Sequence, residues 1–152
     1  MKKTLMLAAA LLITPLVGNT IGYAAEGGSA IPEMMAKYEA EGASNFSAEA
    51  GKKMWTKVMP YEKKGEMIKD RSCSTCHGTD LTKPGKHAKT GKEIAPMIPS
   101  AVSTNRKGEQ VPRFSEAKKI KKWFKRNCKW TYGRECTPQE KGNFLAFFKS
   151  FN

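Results

Sequence analysis

The sequence predicts a small all-α domain in which short helices and long loops are arranged around one site. Three observations carry that prediction. Apolar residues recur at helical spacing around Trp55, Trp123 and Phe148. Cap residues mark three helix starts, Ser47, Ser115 and Thr137, each followed within a turn by an acid, Glu49, Glu116 and Glu140. No βαβ alternation is visible, and between Gly78 and Phe114 periodicity is lost.

The chain opens as an export signal. Met1-Lys2-Lys3 is a positive start, Leu5 to Val17 an apolar run interrupted by Thr14 and Pro15, and Gly22 and Ala24 are small residues placed for cleavage near Ala24. The run is too short for a stable membrane anchor, which needs about 20 apolar residues. The mature chain is then expected in an oxidising compartment, in a bacterium the periplasm. Residues 25–152, about 128, suffice for one domain and not two. We divide them into an N-terminal extension over 25–45 and a domain over 46–152.

Charge bounds the partner. The chain has 27 Lys and Arg against 14 Asp and Glu, and cleavage would remove only Lys2 and Lys3. With export, nucleic acid is not the expected partner, and no nucleic-acid motif is visible. An acidic redox partner steered by the basic surface fits, as does plain solubility.

Met34, Met35 and Tyr38 give Pro32 to Glu41 the spacing of a short exposed helix. The next helix starts at Ser47, runs through Gly51, Met54, Trp55 and Val58, and stops before Pro60. Tyr61 to Asp70 is expected to continue as helix into Cys73-Ser74-Thr75-Cys76-His77.

Those five residues form the Cys-x-x-Cys-His arrangement of covalent haem c attachment, one haem for one motif. Thiols three positions apart lie along one side of a helical turn, where each can add to one haem vinyl group. The next residue then presents an imidazole to the iron as proximal ligand. A thioredoxin-like pair needs no adjacent histidine, and a structural zinc site would need two further ligands at similar spacing.

Beyond the motif, Gly78 to Phe114 is punctuated by glycines and prolines and is expected to form long loops wrapping a haem face. Met97 is the candidate thioether sixth ligand and His87 the candidate imidazole one. Core packing for Met97 and a surface position for His87 are the plainer readings.

Ser115 opens a helix expected to reach about Cys128, with Ile120, Trp123 and Phe124 inside and Lys118, Lys119, Lys121, Lys122 and Lys125 outside. Asn127 returns to the face of Ile120 within about 20°. It is either a helix-terminating asparagine, the favoured reading from these residues alone, or an amide with a buried partner or ion. Cys128 and Cys136, left over after haem attachment, are expected to pair, closing a loop from Lys129 to Glu135 worth about 2–3 kcal/mol. The last helix starts with a capping box, Thr137-Pro138-Gln139-Glu140, and carries Phe144, Leu145, Phe148 and Phe151 on one stripe. Gly51 and Gly142 allow close helix approach, which by analogy with small class I-like c-type cytochromes means that the terminal helices cross.

Several blocks carry a family resemblance. Trp123-Phe124-Lys125-Arg126-Asn127-Cys128, Gly133-Arg134-Glu135-Cys136-Thr137, Glu140-Lys141-Gly142, Thr90-Gly91-Lys92-Glu93-Ile94-Ala95-Pro96-Met97 and Arg113-Phe114-Ser115 resemble the sphaeroides haem protein family of oxygen-binding monohaem cytochromes c. The resemblance runs from about Phe46 to Asn152 and departs over Ser103 to Pro112 and in the start from Glu26 to Ala43. It implies His77 as proximal ligand, Asn127 as distal ligand of the oxidised iron, and a Cys128–Cys136 disulfide. Met97, His87, Trp123 and Phe124 become pocket lining or alternative ligands. An amide oxygen is a hard, weak donor that suits ferric iron better than ferrous. Reduction would therefore release Asn127 and admit O₂, NO or CO. The family also implies a dihaem cytochrome c as electron donor. A pure electron carrier with His77 and Met97 ligation is the competing reading. No second catalytic group is visible, so an enzymatic role is not the leading expectation.

Overall fold

The computed structural model describes residues 29–151. The expected export signal lies outside them, and no helix among the described residues is long and apolar enough to cross a membrane. Among the described residues there are five helices, four of which supply most of the core, and three two-stranded antiparallel hairpins. The expectation of an all-α fold thus holds for the core and is corrected at the hairpins.

Helix α1 (Ile31–Ala40) begins with Pro32 in its first turn, where a missing N–H costs nothing. It is not the exposed helix expected over 32–41. Ile31, Met34 and Tyr38 are all buried, and the Ala30 N–H donates to the Phe114 carbonyl at 2.7 Å. The stripe at i, i+3 and i+7 is apolar enough to dock, although charged neighbours mask it in sequence.

Helix α2 (Ala48–Thr56) is capped by Ser47, whose Oγ accepts from the Ala50 N–H at 3.1 Å. It ends sooner than expected, the chain being extended by Lys57, and Val58 is largely exposed. Strands β1 (Tyr61–Lys63) and β2 (Glu66–Ile68) replace the helix expected over 61–70. Lys64 and Gly65 both have positive φ, 55° and 80°, the backbone of a two-residue hairpin turn. The hairpin is tied to the far end of the molecule by Tyr61, whose Oη donates to the Trp130 carbonyl at 2.6 Å.

After the short helix α3 (Ser74–His77), the segment expected as loops contains β3 (Gly85–Lys86) paired with β4 (Glu93–Ile94), and β5 (Val102–Thr104) paired with β6 (Gln110–Pro112). Strands of two or three residues are too short for a period-2 pattern to show.

Helix α4 (Ala117–Tyr132) starts after Glu116, and the expected cap residue Ser115 instead donates its hydroxyl to the Pro112 carbonyl at 2.9 Å. It continues a turn past Cys128 and stops at Gly133, whose φ of 69° is the left-handed C-terminal cap. Helix α5 (Pro138–Lys149) has the full capping box between Thr137 and Glu140.

Helices α2 and α5 cross where Gly51 meets Asn143. A Cβ on Gly51 would come under 3.0 Å from the Asn143 carbonyl and from Phe147 Cβ. Asn143 closes the crossing from the other side, its Oδ1 accepting from the Ser47 N–H at 2.9 Å. Gly142 accommodates the Phe46 ring rather than a second helix. Trp55 fills the space beside the crossing, edge-on to Phe144, Phe147 and Phe148 at 5.5–6.2 Å.

Candidate haem site

The Cys73–His77 turn is held from three directions. Thr75 Oγ1 accepts from the Ser72 N–H at 3.0 Å, and Trp55 Nε1 donates to the Gly78 carbonyl at 2.8 Å. Gly85 packs so closely on Cys76 and His77 that a Cβ there would overlap their backbone. At the third side, Tyr132 at the end of α4 lies with Oη 3.6 Å from Cys73 Sγ and donates to the Met54 carbonyl at 2.7 Å.

Cys73 and Cys76 are free, half-buried thiols. Burial pushes the Cys73 thiol up to about 11, against the pull of Tyr132 and Thr131, so it stays protonated at neutral pH. His77 is held neutral, its proton affinity lowered to about 4 by burial first and by the Arg113 charge second. A neutral imidazole is the form that ligates a metal. His77 Nδ1 is buried with no hydrogen-bond partner among the described residues, and the ring lies 5.3 Å from Trp55. Two thiols on one turn, a neutral imidazole next to them and an aromatic wall behind fit a covalent haem c. Cys73 and Cys76 would hold its edge and His77 its iron.

Asn127 is half-buried and five residues short of the end of α4, so it does not terminate the helix. Its face of α4 includes buried Ile120 and Thr131 and half-buried Phe124. Phe124 stacks on Phe144 at 6.1 Å, Phe144 meets Trp55 at 6.2 Å, and Trp55 reaches His77. An aromatic chain thus links the attachment turn to the Asn127 stretch of α4. Trp123, one turn before Asn127, is 51% exposed with the Arg126 guanidinium 5.2 Å over its ring. Cys128 and Cys136 are joined, with Cα atoms 5.6 Å apart, which pins α4 to the start of α5.

The other two ligand candidates are differently placed. Met97 is half-buried and its Sδ accepts from the Arg113 guanidinium. His87 is exposed on the β3–β4 turn, where Nδ1 accepts from the Lys89 and Thr90 N–H groups at 3.3 Å, and it does not join the other candidates. Three participants escaped sequence reasoning. Trp55 read as an ordinary helix aromatic and Tyr132 fell in the loop expected over Lys129 to Glu135, yet each has a polar tip aimed at the attachment turn. Arg113 sat in a matching block with no role assigned to it; the turn that places it, at Phe114 with a φ of 59°, shows only in the structure.

Comparison with known proteins gives the chain a family. A family model described as a domain of unknown function (DUF1924) matches residues 41–148. The cytochrome c-type protein SHP of Cereibacter sphaeroides is 35% identical over 97% of both chains. The chain belongs to the SHP family of c-type cytochromes. Among solved structures, oxidised SHP, described as an oxygen-binding cytochrome c, superposes with a TM-score of 0.61 at 33% identity, covering 80% of this chain and 97% of that one. The solution structure of Methylophilus methylotrophus cytochrome c'', described with insights into haem-ligand detachment, superposes with a TM-score of 0.56 at 28% identity, covering 78% and 90%.

Proposed function

We propose that this chain is a periplasmic monohaem cytochrome c, exported by a signal cleaved near Ala24. It accepts one electron and, once reduced, opens its distal side to a small diatomic molecule, O₂, NO or CO. The haem, when bound, supplies the iron and its redox change; the chain supplies the two ligands and the gate. His77 is the proximal ligand, fixed by Trp55, Gly85 and the thiols on its own turn. Asn127 would be the distal one, its amide oxygen being a hard, weak donor better suited to ferric than to ferrous iron.

The observation that carries this reading is the position of Asn127. It lies inside α4, on a face continued by Thr131, while Tyr132 at the helix end touches Cys73. A helix clamped at one end to the attachment turn and at the other side to α5 can keep a weak ligand near the iron. Relatives described by oxygen binding and by haem-ligand detachment support a ligand-binding haem in general.

The electron donor is an acidic protein, in this family reading a dihaem cytochrome c. The exposed lysines of α4, Lys118, Lys119, Lys121, Lys122 and Lys125, give such a partner a basic face. The test is the ferric electronic spectrum of Asn127→Ala. Covalent haem is retained and the ferric iron becomes five-coordinate or water-ligated. An unchanged ferric spectrum rules Asn127 out as the ligand.

A further inference from the structure

A cation lies beside the aromatic cluster that reaches the attachment turn, with no anion of its own among the described residues. The Arg113 backbone follows β6 and is fixed by its N–H, which donates to the Ala101 carbonyl at 2.8 Å. Phe114 next to it turns the chain, with a φ of 59°, and stacks on Phe148 at 5.1 Å. The guanidinium is thereby folded inward, with one nitrogen on Met97 Sδ and its carbon 5.7 Å over the Phe114 ring. Its Nε is buried and has no hydrogen-bond partner among the described residues.

A thioether and an aromatic face are weak partners for a guanidinium, which stays charged when buried. Burying a charge is costly unless it is paired and hydrogen-bonded. The acids near it in sequence are engaged elsewhere: Glu116 pairs with Lys119 and Glu109 accepts from Asn105. No ion pair among the described residues involves Arg113. The Phe148 ring on which Phe114 stacks meets Trp55 at 5.5 Å, and Trp55 meets His77 at 5.3 Å, so Arg113 sits on the aromatic path to the attachment turn. The partner that fits is a carboxylate entering from the His77 side, because the planar fork matches a carboxylate with two parallel hydrogen bonds.

We propose that Arg113 binds a propionate carboxylate of the haem, with Nε as one of the donors, and so fixes the haem edge opposite Cys73 and Cys76. This rests on the haem reading above. It also assigns a consequence: a fixed positive charge beside the haem favours the ferrous state and raises the midpoint potential.

The test uses the haem-loaded protein and the variants Arg113→Gln and Arg113→Lys. Covalent haem is first counted in the unsubstituted protein by its pyridine haemochrome spectrum; none there would overturn the haem reading itself, before any variant is made. The low-frequency resonance Raman spectrum then reads the propionate bending bands, and a redox titration reads the potential. In Arg113→Gln, haem content is unchanged, one bending band shifts to lower frequency and the potential falls. Arg113→Lys keeps the charge without the fork, so the potential returns towards the original while the band stays shifted. It also gives the band reading if Arg113→Gln fails to fold. Bending bands identical in the variants and the unsubstituted holoprotein would overturn the assignment. A potential that follows added chloride while the bands stay fixed would overturn it too, pointing to a free anion.

Discussion

Cutting the Cys128–Cys136 bridge should loosen the fold by an amount the chain geometry sets. The two residues are eight apart in sequence and both are buried. In the chain-entropy description, closing a loop of that length restricts the unfolded chain by about 2.5 kcal/mol at 25 °C. A domain of this size shifts in melting temperature by about 4 °C per kcal/mol, so opening the bridge should lower it by about 10 °C. The measurement is far-ultraviolet circular dichroism on heating, for the intact protein with and without reductant and for the double variant C128A/C136A. Reductant keeps both sulfurs in place and isolates the crosslink, while the double variant also removes two buried sulfurs and should melt lower still. Haem attachment through Cys73 and Cys76 is untouched in each case. Equal melting temperatures with and without reductant, once thiol titration shows the bridge open, would refute the reasoning.

Other perturbations reach other parts of the account. Gly51→Ala drives a methyl group into the Asn143 carbonyl, backbone that cannot swing aside, and should lower the urea-unfolding free energy by about 1–3 kcal/mol. Thr137→Ala removes the hydroxyl that accepts from Glu140 N–H and should cost about 1 kcal/mol in the same measurement. The Arg134 guanidinium, hydrogen-bonded to Glu140, holds that carboxyl below its usual 4.5. A lowered folded value contributes stability above the unfolded value and loses it as pH falls through the folded one. Melting temperature should therefore drop as pH falls below about 4.5, less steeply in Arg134→Ala than in the unsubstituted chain; parallel curves would remove this pair from the acid limb.

Local signals were legible, and distant ones were not. The Thr137–Glu140 box reads from four consecutive residues because both hydrogen bonds close within them. The Cys73–His77 turn reads for the same reason, its chemistry being contained in one turn. Tyr61–Ile68 misled because Lys64 takes the left-handed conformation that Asn or Gly usually takes there, so no turn signal appeared. The end of α4 was placed early because Trp130, Thr131 and Tyr132 are indifferent helix formers; contacts with Tyr61, Arg71 and Cys73 carry the helix on to Gly133. That extra turn matters most, since it takes Asn127 out of the helix terminus and into the helix. Arg113 shows the limit. Its significance lies in having Met97 and His77 nearby and no acid, a relation between residues 16 and 36 positions away that one sequence does not display.

The most direct measurement of the central claim is rapid mixing of carbon monoxide with reduced, haem-loaded protein. The account predicts fast uptake with spectral change in the ferrous form, whose distal position Asn127 no longer holds. A ferrous spectrum that stays six-coordinate and unmoved by carbon monoxide would contradict it.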